Sequence, residues 1–237
     1  MRVPISALTP NIRGEMLELL SRHFEGVDAD GFDADLANKS WTVLVRNEAG
    51  TLAGFSTFDI RDENINGATY TVVHSGDTIV DPSAWSSTAL PRAWIGAIRT
   101  IRPHHPERPL LWLLLTSGVR TYRLLTTFWR EFIPGGNVGS KSPITRRLLD
   151  TLASRRYGPM FDHHTGIVRL DRPQRLRPHL AAVPEGRSVD PHVAFFLRAN
   201  PGHAAGDELV CLASLDDDNL TRAGRRMVAN SAVEAAV

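Results

Sequence analysis

One stretch constrains the fold more than any other, the run from Tyr70 to Trp94. It opens with strand-forming residues (Tyr70 to Val73, then Thr78 to Val80) and breaks at Asp81-Pro82. It then passes through small residues (Ser83, Ala84, Ser86, Ser87, Thr88) and enters a helix at Ala89. That is a strand, a tight turn and a helix start. N–H groups in the first turn of a helix lack intrahelical partners and sit at the positive end of its dipole, so such a turn suits an anion, phosphate above all.

Here the chain resembles the Gcn5-related N-acyltransferases (GNAT superfamily), whose central strand ends in V-x-P-x-x-(Arg/Gln)-Gly-x-Gly. Val80, Pro82, Trp85, Ser86 and Thr88 fall on those spacings, with Leu90 following. Trp85 stands where the family prefers Arg or Gln, and Ser86 and Thr88 where it prefers Gly. Side chains of that size narrow the backbone's approach to a phosphate, although their hydroxyls offer hydrogen bonds in return.

The order of elements agrees with the resemblance. Thr9 caps a helix that Pro10 opens and that runs to His23, with Ile12, Met16, Leu19 and Leu20 at helical spacing. A short helix over Asp30 to Asn38 follows. Strands Trp41 to Arg46 and Thr51 to Ile60 flank the turn Asn47 to Gly50, with Gly54-Phe55 placed as in many GNAT domains. Asp62 to Gly67 reads as a loop into the central strand. Beyond the phosphate turn come a helix over Ala89 to Arg102, a continuously apolar strand over Leu110 to Leu115, and a helix over Val119 to Phe132.

The resemblance then lapses. A Gly/Pro/Ser loop (Pro134 to Pro143) leads to a helix ending at Tyr157, a strand over Gly166 to Leu170 and an irregular stretch over Arg172 to Arg187. A helix over Asp190 to Ala199, a strand over Asp207 to Leu215 and a last helix from Asp216 to Ala229, with a frayed end, complete the chain. The fold implied is α/β, with a GNAT-like mixed, mostly antiparallel central sheet, splayed parallel strands, flanking helices and a C-terminal α/β elaboration. Residues 1–134 form the acyl-thioester-binding core. Residues 135–237 complete the sheet and cover the acceptor cleft, in one compact domain.

By the same resemblance the activity is transfer of an acyl group from acyl-CoA, the cosubstrate, to the amine of a small molecule by direct attack. Ile79, Val80, Trp85, Ser86, Ser87, Thr88 and Ala89 would hold coenzyme A, joined by Ser117 and Arg120. A backbone N–H near Val80 would polarise the thioester carbonyl, and Tyr122, the only tyrosine on its helix, would protonate the leaving thiolate. An acyl carrier protein is an alternative donor, docking on arginines such as Arg92, Arg99, Arg120 and Arg123, which otherwise form a solvated face.

The base is sought in His74-Ser75-Gly76-Asp77-Thr78, where a Gly beside an Asp in mid-strand suggests a bulge. Asp77 is the first candidate, with capping of a neighbouring loop as its alternative role. His74 is the second. Strand alternation places it opposite Asp77, so both serve only if the bulge exists. Ser75, His203 and Asp207 are candidates for the acceptor pocket, although the Gly-rich segment around His203 also reads as a plain connection. Trp85, Trp94, Trp112, Phe128 and Trp129 line either an acyl tunnel or the core.

Other classes receive little support. The balance of 27 Lys+Arg against 26 Asp+Glu points to no nucleic-acid partner. The single Cys211 lies in an apolar run and reads as an inert core thiol. The pairs His104-His105 and His163-His164 lack metal-ligand spacing, and no metal is expected. No G-x-S-x-G elbow is present. The opening residues lack a signal core and no apolar run reaches spanning length, so a soluble cytoplasmic protein is the expectation. The alternative function is a GNAT-fold protein without turnover that binds an acyl thioester or a partner as sensor or scaffold.

Overall fold

The computed structural model describes residues 2–135, 143–183, 186 and 189–234. The predicted loop over Pro134 to Pro143, part of Arg172 to Arg187 and the chain's last residues lie mostly or partly outside that set. Strand β1 (Arg2–Pro4) precedes helix α1 (Pro10–His23), which Thr9 caps by accepting from Ile12 N at 3.3 Å. Short β2 (Phe24–Glu25) leads to α2 (Ala29–Ala37), capped by Asp28 through Gly31 N. Strands β3 (Trp41–Arg46), β4 (Leu52–Ile65) and β5 (Ala68–Val80) form an antiparallel meander. The segment expected as a loop is instead a continuation of both long strands. Asn66 and Gly67 both have positive φ and close a two-residue hairpin, a signal that Asn-Gly carries in the sequence itself.

Helix α3 (Ala89–Ile101), strand β6 (Leu110–Thr116) and helix α4 (Val119–Phe128) follow as expected, except that α4 stops early and Phe132–Ile133 forms β7. Then come α5 (Pro143–Tyr157), β8 (Phe161–Asp162), β9 (Ile167–Val168) and β10 (Arg175–Leu176), with α6 (Pro178–Ala181) after it. Helix α7 (Pro191–Ala199), strand β11 (Glu208–Ser214) and helix α8 (Arg222–Glu234) end the described chain.

The main sheet runs β1-β3-β4-β5-β6-β11-β9-β8, with β7 also on β11. Every pair is antiparallel except β5 with β6. Alternation along the strands sorts the apolar residues to two faces. Val73, Trp112, Leu114 and Cys211 pack with α3, α4, α7 and α8, whereas Val72, Leu111, Leu113 and Val210 pack with α5. Helices α1 and α2 share the α5 face, over Leu44, Phe55 and Ile79. Continuously apolar β6 is thus covered on both faces, as its sequence requires.

Two features open this sheet. The parallel ladder of β5 and β6 ends at Ser75 and Leu114, while β5 runs on to Val80 beside β4 alone. Just there β5 carries a bulge. Ser56 pairs with Thr78 and Phe58 with Ser75, so β5 holds one residue more than β4 across Gly76–Asp77. The extra residue reverses the alternation, and Asp77 reaches the α2 face that His74 already occupies.

Candidate active site

A cleft of about 610 Å³ begins at this opening. It runs from the bulge between the splayed strands to the starts of α3 and α4, and it is roofed by Leu170 to Val183. The roof is held by β10, which pairs with β2, and by Arg177, whose N–H donates to His23 O at 2.9 Å. Close approach of the roof explains two glycines. A Cβ on Gly26 would lie 3.0 Å from Pro173 O, and one on Gly206 would lie 3.1 Å from Gln174 O, and both have positive φ.

The cleft floor is charged. Lys39 Nζ donates to Asp35 at 2.7 Å, and Asp77 hydrogen-bonds with Asp35 beside it. Burial and the neighbouring Asp35, only partly offset by Lys39, push the Asp77 carboxyl up to about 7. Glu208, on β11, is raised to about 8 by burial and by Asp77 and Asp35. A proton acceptor that titrates near neutrality is what removal of a proton from an ammonium requires.

His74 lies 6% exposed on the same face. Its Nδ1 is 3.2 Å from Asp59 Oδ1, and its Nε2 meets the Tyr157 hydroxyl in a short hydrogen bond. Asp59 receives both Arg156 Nη atoms, at 3.0 and 3.1 Å, and Arg61 Nε at 2.6 Å. Burial alone would raise Asp59, but His74 and Arg156 together hold it down to about 2. Burial keeps the imidazole neutral by lowering His74 to about 4.

The expected phosphate turn differs from a cradle. Ser83 N donates to Asp81 Oδ1, Ala84 N to Asp81 O, Trp85 N to Pro82 O, Ser87 N to Ala84 O and Ala89 N to Ser87 Oγ. These five N–H groups are satisfied within the turn, and no residue of the turn has positive φ. Trp85 Nε1 donates to Val80 O at 2.9 Å, and the Arg120 guanidinium stacks 3.4 Å over the Trp85 ring. That stack joins the end of β5 to the start of α4.

Of the residues expected to hold coenzyme A, Ile79, Val80, Trp85, Ser87, Ser117 and Arg120 line the cleft. Ser86, Thr88 and Ala89 do not. The turn folds its own backbone around Ser87, and Thr88 Oγ1 accepts from Arg92. Tyr122 also lies elsewhere. It is fully buried on the opposite face among Phe132, Phe195 and Phe196, and its hydroxyl donates to Pro134 O at 3.2 Å. Tyr122 lies on the buried face of helix α4 with Leu125 and Phe128, and burial there pushes the phenol up beyond its usual range.

Among the acceptor-pocket candidates, His203 lines the cleft, with burial lowering its pKa. Ser75 points to the other face and accepts from Trp112 Nε1 at 2.7 Å, and Asp207 accepts from Arg169 Nε at 3.2 Å outside the cleft. Trp94, Trp112 and Trp129 pack in tilted and edge-on contacts at 4.4 to 5.9 Å as core, and the apolar recess beside them is only about 20 Å³. Cys211 is buried. Among the described residues no helix is long and apolar enough to cross a membrane. Sequence reasoning missed Tyr157, Asp59, Lys39, Asp35 and Glu208. Asp59 alone left a signal, an acid on the strand next to His74.

No family model and no curated protein matches the chain. Among solved structures, a GNAT family N-acetyltransferase from Escherichia coli in complex with CoA is 14% identical over 54% of this chain and 67% of that one, with a TM-score of 0.40. An aminoglycoside 6'-N-acetyltransferase complexed with coenzyme A is 9% identical over 91% and 97%, at 0.40. A probable N-acyltransferase from Enterococcus faecalis V583 is 13% identical over 56% of this chain, at 0.40, and the match spans 32% of its length. Likenesses of this size decide nothing about chemistry, which rests on the cleft itself.

Proposed function

We propose that the protein transfers an acyl group from an acyl thioester to the amine of a small molecule by direct attack. The observation that carries this reading is the bulge at Gly76–Asp77. It sits where the parallel ladder opens and brings Asp77, raised to about 7, onto the cleft face beside His74. The thioester enters between β5 and β6, where the unpaired edge of β5 offers backbone donors to the carbonyl oxygen. Asp77 takes the first proton of the incoming ammonium. Asp35 favours a cation at that end of the cleft.

Coenzyme A is the proposed carrier. Its diphosphate is met by Arg120 and Arg172, which line the cleft, more than by the turn's backbone. One observation favours a binder without turnover: Trp85 and Arg120 stack on each other within the cleft lining.

Thermal unfolding with coenzyme A, acetyl-CoA and a long-chain acyl-CoA, together with thiol release from acetyl-CoA over a panel of primary amines, tests the proposal. A ligand at a hundred times its Kd adds about 2.7 kcal/mol, a rise of several degrees. A rise with acetyl-CoA and amine-dependent thiol release is the expected result. A rise without release under any amine selects the binder, and no rise with any of the three removes free coenzyme A as carrier.

A further inference from the structure

Tyr157 is the chemistry-bearing group of the cleft that the proposed reaction has not used. It sits at the C-terminal end of α5, 7% exposed, and reaches the cleft floor beside His74. Three contacts in series fix how its hydroxyl is used. Arg156 binds Asp59 through both Nη atoms, which keeps Asp59 an ionised, acceptor-only carboxylate. The imidazole atom facing it, Nδ1, lies 3.2 Å away without hydrogen-bond alignment, and the field of an ionised carboxylate at that distance favours the tautomer protonated at Nδ1. Nε2 is left as an acceptor, and the Tyr157 hydroxyl donates to it. The lone pairs of the phenol oxygen are then what the cleft sees. The other charges around this chain are Lys39, Asp35 and Glu208, with Arg61 on the outer side of Asp59.

We infer that Tyr157 is a second proton-transfer group of the cleft, linked through His74 to Asp59. This rests on the acyl-transfer reading. An ammonium acceptor must lose two protons to become an amide, and the thiolate must gain one. Asp77 takes the first proton and passes it to solvent. The amine nitrogen then bonds to the thioester carbon, and the C–S electron pair leaves on sulfur. As the nitrogen gives its second proton to Tyr157 Oη, Tyr157 hands its own to His74 Nε2, and the imidazolium so formed faces the Asp59 carboxylate. The return of that proton through Tyr157 to the thiolate restores the resting state. Asp59 acts here as a positioning residue, holding the tautomer.

The test compares the wild-type protein with Tyr157→Phe, which removes one oxygen from a side chain that stays apolar and packed. Thiol release from acetyl-CoA is followed with primary amines in mixtures of H2O and D2O. The expected result is a fall in kcat of about 10²–10³-fold, an unchanged KM for acetyl-CoA, and a proton inventory that drops from two exchanging protons to one. Turnover by Tyr157→Phe within threefold of wild type overturns the relay and leaves acyl transfer standing. Absence of thiol release by the wild-type protein with every amine overturns both. Should the variant fail to fold, ¹⁵N NMR of the His74 imidazole in the wild-type protein decides the arrangement. Protonation at Nδ1 and not at Nε2 across neutral pH is expected, and the opposite tautomer or an imidazolium overturns the relay.

Discussion

At Gly76–Asp77 strand β5 gains a residue and turns Asp77 into the cleft beside His74. A few residues on, at Asp81–Ala89, the same chain folds back and donates five of its N–H groups to its own oxygen atoms. The first region keeps groups whose protonation is set by burial and by neighbouring charges, the carboxylate of Asp35 above all. The second spends five N–H groups on itself, with Trp85 bonded to Val80 O and stacked under Arg120. On the reading proposed above, the contrast separates the groups for proton transfer from the anchor for the donor's phosphates within one strand–turn–helix unit. The proposed chemistry stands on strand register, and the proposed anchor lies on arginine side chains.

The sharpest way to break that contrast is Asp77→Asn. Turnover should fall about 10²–10⁴-fold, and the rise of kcat with pH, centred near the wild-type value of about 7, should vanish. An unchanged profile would mean that the bulge carries no base. The same substitution has a stability signature of the opposite sense. Asp77 binds its proton more tightly in the folded chain than unfolded, about 7 against 3.8, and Glu208 likewise, about 8 against 4.5. Their contribution is therefore present below about pH 4 and is lost as pH rises through 7 to 8. Asp77→Asn should flatten that decline in a series of thermal melts.

Next in size is Arg156→Met, which leaves Asp59 buried with Arg61 alone. Breaking a buried pair from one side costs about 3 kcal/mol, or roughly 6–12 °C in a domain of this size. A fall under 2 °C would show that Asp59 does not depend on it. Acid has the matching effect. Asp59 is depressed from 3.8 to about 2, so its contribution is present above pH 4 and is lost as pH falls through 2.

The anchor end is probed by Arg120→Ala, expected to weaken coenzyme A binding about tenfold by calorimetry, equivalent to ~1.4 kcal/mol. Trp85→Ala should change affinity less than threefold. If Trp85→Ala abolishes binding while Arg120→Ala does not, the donor's anchor is the turn after all. The smallest effect belongs to Tyr122→Phe. It removes one hydrogen bond to Pro134 O, about 0.5–1.5 kcal/mol, with turnover unaltered. A loss of turnover comparable to that of Tyr157→Phe would return the proton-donor role to α4.

Much of the fold was legible because period and punctuation are local properties. Thr9-Pro10 opened α1, Leu110 to Leu115 read as a strand covered on both faces, and Gly76-Asp77 announced the bulge. The site was legible only where it lies on β5. Asp35 and Lys39 come from the region of α2, Tyr157 and Arg156 from α5, and Glu208 from β11, and nothing in their neighbourhoods marks them as partners. The place of Tyr122 in the other layer was not legible, because helical position alone does not say which of two layers a tyrosine faces.

By itself the sequence determined the strand–turn–helix unit, the apolar central strand, the bulge and the candidacy of Asp77 and His74. All of these follow from backbone preferences and side-chain period over a few residues. Only the tertiary structure decided that His74 stands between Asp59 and Tyr157 and that Asp77 titrates beside Asp35 and Glu208. These depend on burial and on charges brought close from distant parts of the chain, and both are set by how the layers pack.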